Sequence, residues 1–330
     1  MSRATHHYAC DTARDYWHTK YQSLTGRRYL PRDCTPLRYP GGKGSLKYFL
    51  ANTLLDNELD GGTLIEPFCG GAGASLPLLI AGHVNRLHLN DVNPAVAAFW
   101  HSVFFDTYAL ISLIKYTPVT MQQWHRCREA IEHPEDASTL ELGFATFFMN
   151  RCNRSGLLTS GPIGGYQQLG NYKLDCRYNK ADLIARIERL GRLANHVTVS
   201  CKDACDFLSG LGEEELLQSL IFIDPPYVRQ GHNLYKRFSF EPEDHQRLAE
   251  FIKPRNWYWL ITYDDHPLIH SLYAERTQGV VELSYQMQQA KFGRELFVAS
   301  AHCRVSFPPS NTQALPGEGY TNKSATATAC

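Results

Sequence analysis

The sequence predicts an α/β fold: a mostly parallel sheet with helices on both faces, interrupted midway by a mainly helical stretch. Three observations predict it. Short apolar runs alternate with helical patterns on either side of the chain's middle. A glycine cluster follows the first run. The alternation lapses between residues 105 and 195 and then resumes.

Residues 1–34 are polar, with Tyr8, Tyr16, Trp17, Tyr21 and Tyr29 interspersed, and read as an N-terminal extension with one helix docked on the body. The run Thr63 to Phe68 enters the cluster Gly70, Gly71, Ala72, Gly73; Ala74 to Ala81 then reads as a helix. Leu87 to Asp91 is a second strand and Asn93 to Phe104 a second helix, which completes a βαβ unit. Residues 105–195 carry several helical patterns and a loop with Gly156, Gly161, Pro162, Gly164, Gly165 and Gly170. Within 181–194, apolar residues at 183, 184, 187, 190 and 193 have helical spacing. Strand patterns return at Val197–Ser200, Leu220–Ile223, Trp257–Thr262, Val280–Leu283 and Leu296–Ser300, with helices at 242–252 and 266–274. The last two strands have no helix between them and are expected to pair antiparallel at an edge. Residues 310–330 are small, polar and unpatterned, the composition of a disordered tail. The boundaries that follow are 1–34, 35–104, 105–195, 196–309 and 310–330.

Composition excludes several classes. The 330 residues hold 33 Lys and Arg against 33 Asp and Glu, so the protein does not coat nucleic acid by bulk charge, although a local basic groove is compatible with neutrality. There is no run of about 18 apolar residues, so no membrane span is expected. The N-terminus lacks the apolar stretch of a signal peptide. Ten cysteines without CxxC pairs read as reduced thiols, and the expected location is the cytoplasm. Fourteen histidines form no HExxH and no zinc-type spacing, so no metal is expected.

Two places carry chemistry. The glycine turn stands where a parallel strand hands over to a helix, the usual ligand end of an open α/β sheet. A dinucleotide fingerprint fits poorly, since Gly71-Ala-Gly73 is followed by Ala74, Ser75 and Leu76. Asp91, about 20 residues on, suits ribose hydroxyls or a helix cap. The second place is Asp224-Pro225-Pro226-Tyr227, directly after an apolar strand. Two prolines fix two φ angles and remove two N–H donors, which makes a stiff elbow. It holds the Asp224 carboxylate and the Pro225 carbonyl as fixed acceptors beside the flat face of Tyr227. A planar substrate with an NH₂ group matches this pattern.

In that order, Tyr39-Pro-Gly-Gly-Lys43, Glu66-Pro-Phe-Cys-Gly-Gly-Ala-Gly73, Asn90-Asp91-Val-Asn93 and Asp224-Pro-Pro-Tyr227 resemble the motifs of Dam-type (D12 class) DNA adenine-N6 methyltransferases. The segments Asn150 to Gly156, Gly161 to Gly165 and Tyr172 to Asn179 are similar to that family too, and the likeness spans about residues 35 to 305. It implies a Rossmann-like methyltransferase sheet with an inserted, mainly helical target-recognition domain, here 105–195. It implies S-adenosylmethionine as cofactor and double-stranded DNA as partner. By motif position, Tyr39, Lys43, Asp91 and Asp224 are the implied cofactor contacts, with Glu66, Phe68, Gly70, Gly71 and Gly73 of the turn beside them. The sequence departs from the best-known members after Asn153-Arg154, where Leu157 to Pro162 replaces Phe-Asn-Gly, which puts a GATC target in doubt.

The implied reaction is direct methyl transfer to N6 of a flipped-out adenine. Asp224 and the Pro225 carbonyl accept the amino hydrogens, and Tyr227 stacks on the base. No cysteine nucleophile is needed, and Cys69 reads as a small filler in the turn. For DNA contacts, residues 151–195 hold eight Lys and Arg against three acids. Arg186, Arg189 and Arg192 read equally well as a solvated helix face. Asn153, Arg154 and Arg177 are the better candidates, because Asn and Arg read base edges bidentately. The setting implied is restriction–modification, a phage or a defence system, with or without a protein partner, and the oligomeric state is open. Glutamine-amide or RNA-adenine methylation, and a DNA-binding module without turnover, are the competing readings. Asp at 224 and the order of the motifs favour DNA methylation.

Overall fold

The computed structural model describes residues 6–8, 10–27, 29–38, 42–229, 240–285 and 291–307. The expected tail at 310–330, and Tyr39, lie outside the described residues. Strands β2 (Gly62–Glu66), β3 (Val84–Asn90), β4 (Val197–Ser200), β5 (Ser219–Ile223) and β6 (Tyr258–Asp264) run parallel. β7 (Thr277–Tyr285) and β8 (Lys291–Ala299) are antiparallel to each other, and β8 pairs antiparallel with β6. β1 (His6–Tyr8) joins β7 in parallel, giving the order β1-β7-β8-β6-β5-β2-β3-β4.

Alternation along each strand feeds two cores. Leu220, Phe222, Leu260 and Phe297 enter the larger one, whereas Ile221, Ile223, Trp259, Ile261 and Val298 enter the other. A sheet buried on both faces reads as a continuous apolar run, and this is why the β5 and β6 patterns are uninterrupted in sequence.

Helices start where the side chains say they should. α4 (Pro94–Phe105) begins behind Asn93, whose side chain accepts from the Ala95 amide at 3.0 Å, with Pro94 at the first helical position. α3 (Ser75–Ala81) stops at Gly82, with φ 77°. In the middle stretch, α5 (Thr107–Tyr116), α6 (Met121–Glu132), α7 (Thr139–Cys152) and α8 (Lys180–Gly191) follow in turn. α7 opens on a reciprocal Ser138–Glu141 capping box. Leu110, Trp124, Phe147 and Ile187 of these helices join the same core as the sheet residues Leu64 and Leu87, so the stretch packs into the body of the sheet. α2 (Lys47–Asp56), α9 (Ala204–Ser209), α10 (Glu213–Leu217), α11 (Pro242–Ile252) and α12 (Pro267–Leu272) complete the described α-helices. Among the described residues, no single helix is long and apolar enough to cross a membrane.

The N-terminus is more integrated than the sequence suggests. α1 (Cys10–Thr25) does dock: Trp17 is fully buried, 4.7 Å ring to ring from Phe49, and its indole donates to the Ser306 carbonyl. Lys20 pairs with Asp56 at 2.8 Å. The three-residue β1, however, takes the outer edge beside β7, so the β7–β8 pair is not terminal in the sheet. A strand of sequence His-His-Tyr has too few residues to display an alternation.

Candidate active site

Parallel strands β2, β3 and β5 deliver the glycine turn, Asp91 and the proline elbow to one end of the sheet. The turn is braced from behind. Asn90 donates to the carbonyls of Pro67 and Lys202, both at 2.9 Å, and so ties together the ends of three strands. The Trp100 indole holds the Gly70 carbonyl at 2.7 Å. Gly70 has φ 44°, a conformation that side chains resist. Gly73 approaches the Lys43 segment: a Cβ there would stand 3.3 Å from the Gly44 nitrogen.

Asp91 clips the turn to α4. Its Oδ2 accepts from the Gly70 amide at 2.9 Å and its Oδ1 from the Asn93 amide at 3.0 Å. Asn93, not Asp91, caps α4. Burial pushes the Asp91 carboxyl up to about 6, against the pull of the Asn93 and Gly70 amides. Each of its oxygens keeps a spare lone pair. Glu66 ends β2, buried, and accepts from Ser75 Oγ at 2.8 Å. Burial pushes its carboxyl up to about 8; the Ser75 hydroxyl works downward and the charge of Asp224 upward. Phe68 stands edge-on to Phe240 at 5.4 Å and borders a cavity of about 130 Å³ that the Asp203–Arg247 ion pair also lines.

At the elbow, Thr262 of β6 donates to Asp224 Oδ1 at 2.7 Å. Lys43 opens a short helical turn (Lys43–Leu46), and its ammonium is 3.1 Å from the same oxygen. The ammonium also donates to the Tyr227 hydroxyl at 2.6 Å and lies 3.2 Å from Glu295 Oε1. The phenol in turn donates to Glu295 at 2.6 Å. Burial disfavours the Lys43 charge, but Asp224 and Glu295 outweigh it and raise its pKa. Burial and the two carboxylates hold the Tyr227 phenol well above its ordinary value, so it stays a neutral donor. Asp264 anchors the elbow's exit by accepting from the Val228 and Arg229 amides at 3.0 and 3.1 Å.

Lys43, Gly70, Gly73, Asp91, Asp224 and Tyr227 thus share one cavity of about 1840 Å³, and Glu66, Phe68, Gly71, Pro225 and Pro226 line it too. Arg154 and Arg177 stand on its wall, and neither makes an ion pair among the described residues. Arg38 joins them: burial, then the like charge of Arg177, lowers its pKa. Asn153 requires a correction. It is fully buried; its oxygen accepts from the Trp124 indole at 2.7 Å and its nitrogen donates to the Leu157 carbonyl at 2.8 Å. With both amide hydrogens spent on the Leu157 and Leu158 carbonyls and the side chain fully buried, Asn153 holds the loop and does not reach a base edge. Arg186 and Arg192 make i,i+4 pairs with Asp182 and Glu188, the solvated-face alternative.

Sequence reasoning missed Glu295, Thr262, Arg38 and the Asp203–Arg247 pair. The one available signal was an acid immediately before the apolar run Leu296 to Ser300.

A mostly parallel sheet thus gathers a glycine turn, a buried aspartate and an acidic proline elbow around one cavity. A family model for D12 class N6 adenine-specific DNA methyltransferases matches residues 39–289, most of the chain. The chain belongs to that family, whose members are S-adenosylmethionine-dependent, adenine-specific DNA methyltransferases. No curated protein matches it.

Proposed function

We propose that this protein methylates N6 of an adenine turned out of duplex DNA, and that the Asp224 elbow is where the amino group is gripped. The supporting observation is the single cavity that joins Asp224 and Tyr227 to the glycine turn and Asp91. The donor set fits the cofactor: Asp91 for ribose hydroxyls, Glu66, Phe68 and the glycine backbone around it, and the Asp224 carboxylate at the elbow for a cation. When bound, S-adenosylmethionine supplies an electrophilic methyl on a sulfonium.

Adenine N6 is a weak nucleophile because its lone pair is delocalised into the ring. Asp224 and the Pro225 carbonyl accept its two hydrogens and turn the lone pair toward the methyl. Thr262 keeps the carboxylate aimed, and Tyr227 faces the base. Positioning and aimed dipoles carry the rate gain. Flipping costs a few kcal/mol, which contacts along the duplex repay. The 105–195 stretch, through Arg154 and Arg177 at the cavity wall, is assigned to the DNA, and a restriction–modification, phage or defence setting in the cytoplasm suits the chemistry.

The test is modification mapping of DNA from methylation-deficient cells that express the chain. N6-methyladenine in one sequence context is expected. Asp224→Ala should cost about a thousandfold or more in rate with an unchanged circular dichroism spectrum and melting curve. Full turnover by that variant ends the assignment.

A further inference from the structure

Resting on the reading above, we infer that Glu295 is a positioning residue: it receives the Lys43 ammonium when the substrate amine takes that ammonium's place on Asp224. Lys43, 3.1 Å from Asp224 Oδ1, and Thr262, which donates to the same oxygen, fill both of its lone pairs, so an amine that takes this oxygen displaces the ammonium. A buried ammonium cannot leave a carboxylate without another partner, because an uncompensated buried charge is costly. Glu295 is that partner. It is 1% exposed and fixed in β8 between Asp264 of β6 and Val281 of β7. Its Oε1 already stands 3.2 Å from the ammonium, while its Oε2 is buried with no hydrogen-bond partner among the described residues. An unused buried carboxylate oxygen is a standing expense that the fold keeps, and a lysine on a flexible four-carbon stem can reach it by a small swing. Tyr227 donates to Oε1 and stays anchored during the exchange. The step is a swap of hydrogen bonds, with no bond made or broken and no proton lost.

A double-mutant cycle tests this. Glu295→Gln should lower single-turnover methyl transfer to methylation-free plasmid DNA at least tenfold. Its affinity for S-adenosylhomocysteine should stay within twofold of wild type. In a Lys43→Met background the same substitution should change the rate less than twofold, because Glu295 acts through that lysine. Glu295→Asp, which keeps the charge with a shorter reach, should recover part of the rate; if the Gln variant does not fold, the Asp variant carries the cycle with a smaller loss. Equal losses in both backgrounds, or no loss in either, overturn the exchange and leave the methyltransferase reading standing. A wild type that methylates no DNA overturns both.

Discussion

Glu66 ends β2 with a carboxyl that the fold prefers protonated, and this has a measurable sign. Its ordinary value is 4.5 and burial raises it to about 8. The unfolded chain releases this proton first, so the group's contribution to stability falls as pH rises from 4.5 to 8 and is level beyond. Glu66→Gln removes that dependence. In urea melts the variant should gain on wild type by about 3–5 kcal/mol between pH 5 and pH 9, with no gain on going below pH 4.5. A wild type and variant that keep the same difference across the range would contradict a protonated Glu66. How far single residues were legible follows from what they touch. Asp224 and Tyr227 stood out because two prolines between them are a costly way to leave a strand. Glu295 did not, because a lone acid at the start of an apolar run reads as a solvated strand end until β6 and β7 enclose it.

The loop between α7 and α8 is held by pairings invisible in one dimension. Asn150 accepts from the Arg38 amide at 2.7 Å and donates to the carbonyls of Arg38 and Gly156, at 3.0 and 2.9 Å. Gly156, with φ 75°, packs so closely that a Cβ would overlap the Arg38 carbonyl oxygen. Gly156→Ala therefore combines an unfavourable backbone conformation with a clash against backbone. It should destabilise the protein by about 2–4 kcal/mol, read from denaturant midpoints, and should slow methyl transfer by moving the segment that leads into Lys43. An alanine variant as stable as wild type would mean that the loop and residue 38 are not joined in this way. α8, on one side of this loop, was readable from the apolar spacing at 183, 184, 187 and 190. The loop's fold was not, since Arg38, which Asn150 ties to it, lies 112 residues away.

At the scale of the whole molecule, a neutral chain sets on one wall cations that make no ion pair among the described residues. Arg154 and Arg177 face the cavity that holds Asp224, and Arg38 is pressed by the like charge of Arg177. Such a wall relaxes when a phosphate arrives. Arg154→Ala and Arg177→Ala should each weaken DNA binding and reduce the slope of log K against log salt by about one, measured by anisotropy between 50 and 200 mM salt. Asn153→Ala should instead act through stability, because its amide supports the loop. Unchanged salt slopes for both arginine variants would place the DNA elsewhere.

By itself the sequence determined the parallel sheet, the places of its main strands and helices, and the two chemical turns, because each depends on neighbours within a few residues: periodicity, caps, glycines and prolines. Only the tertiary structure decided which side chains meet. It closed the sheet's edge with β1, drew the middle helices into the common core, buried Asn153, and set Glu295 opposite Lys43. Those outcomes depend on contacts between residues far apart in the chain, where burial changes what an amide or a carboxylate can do.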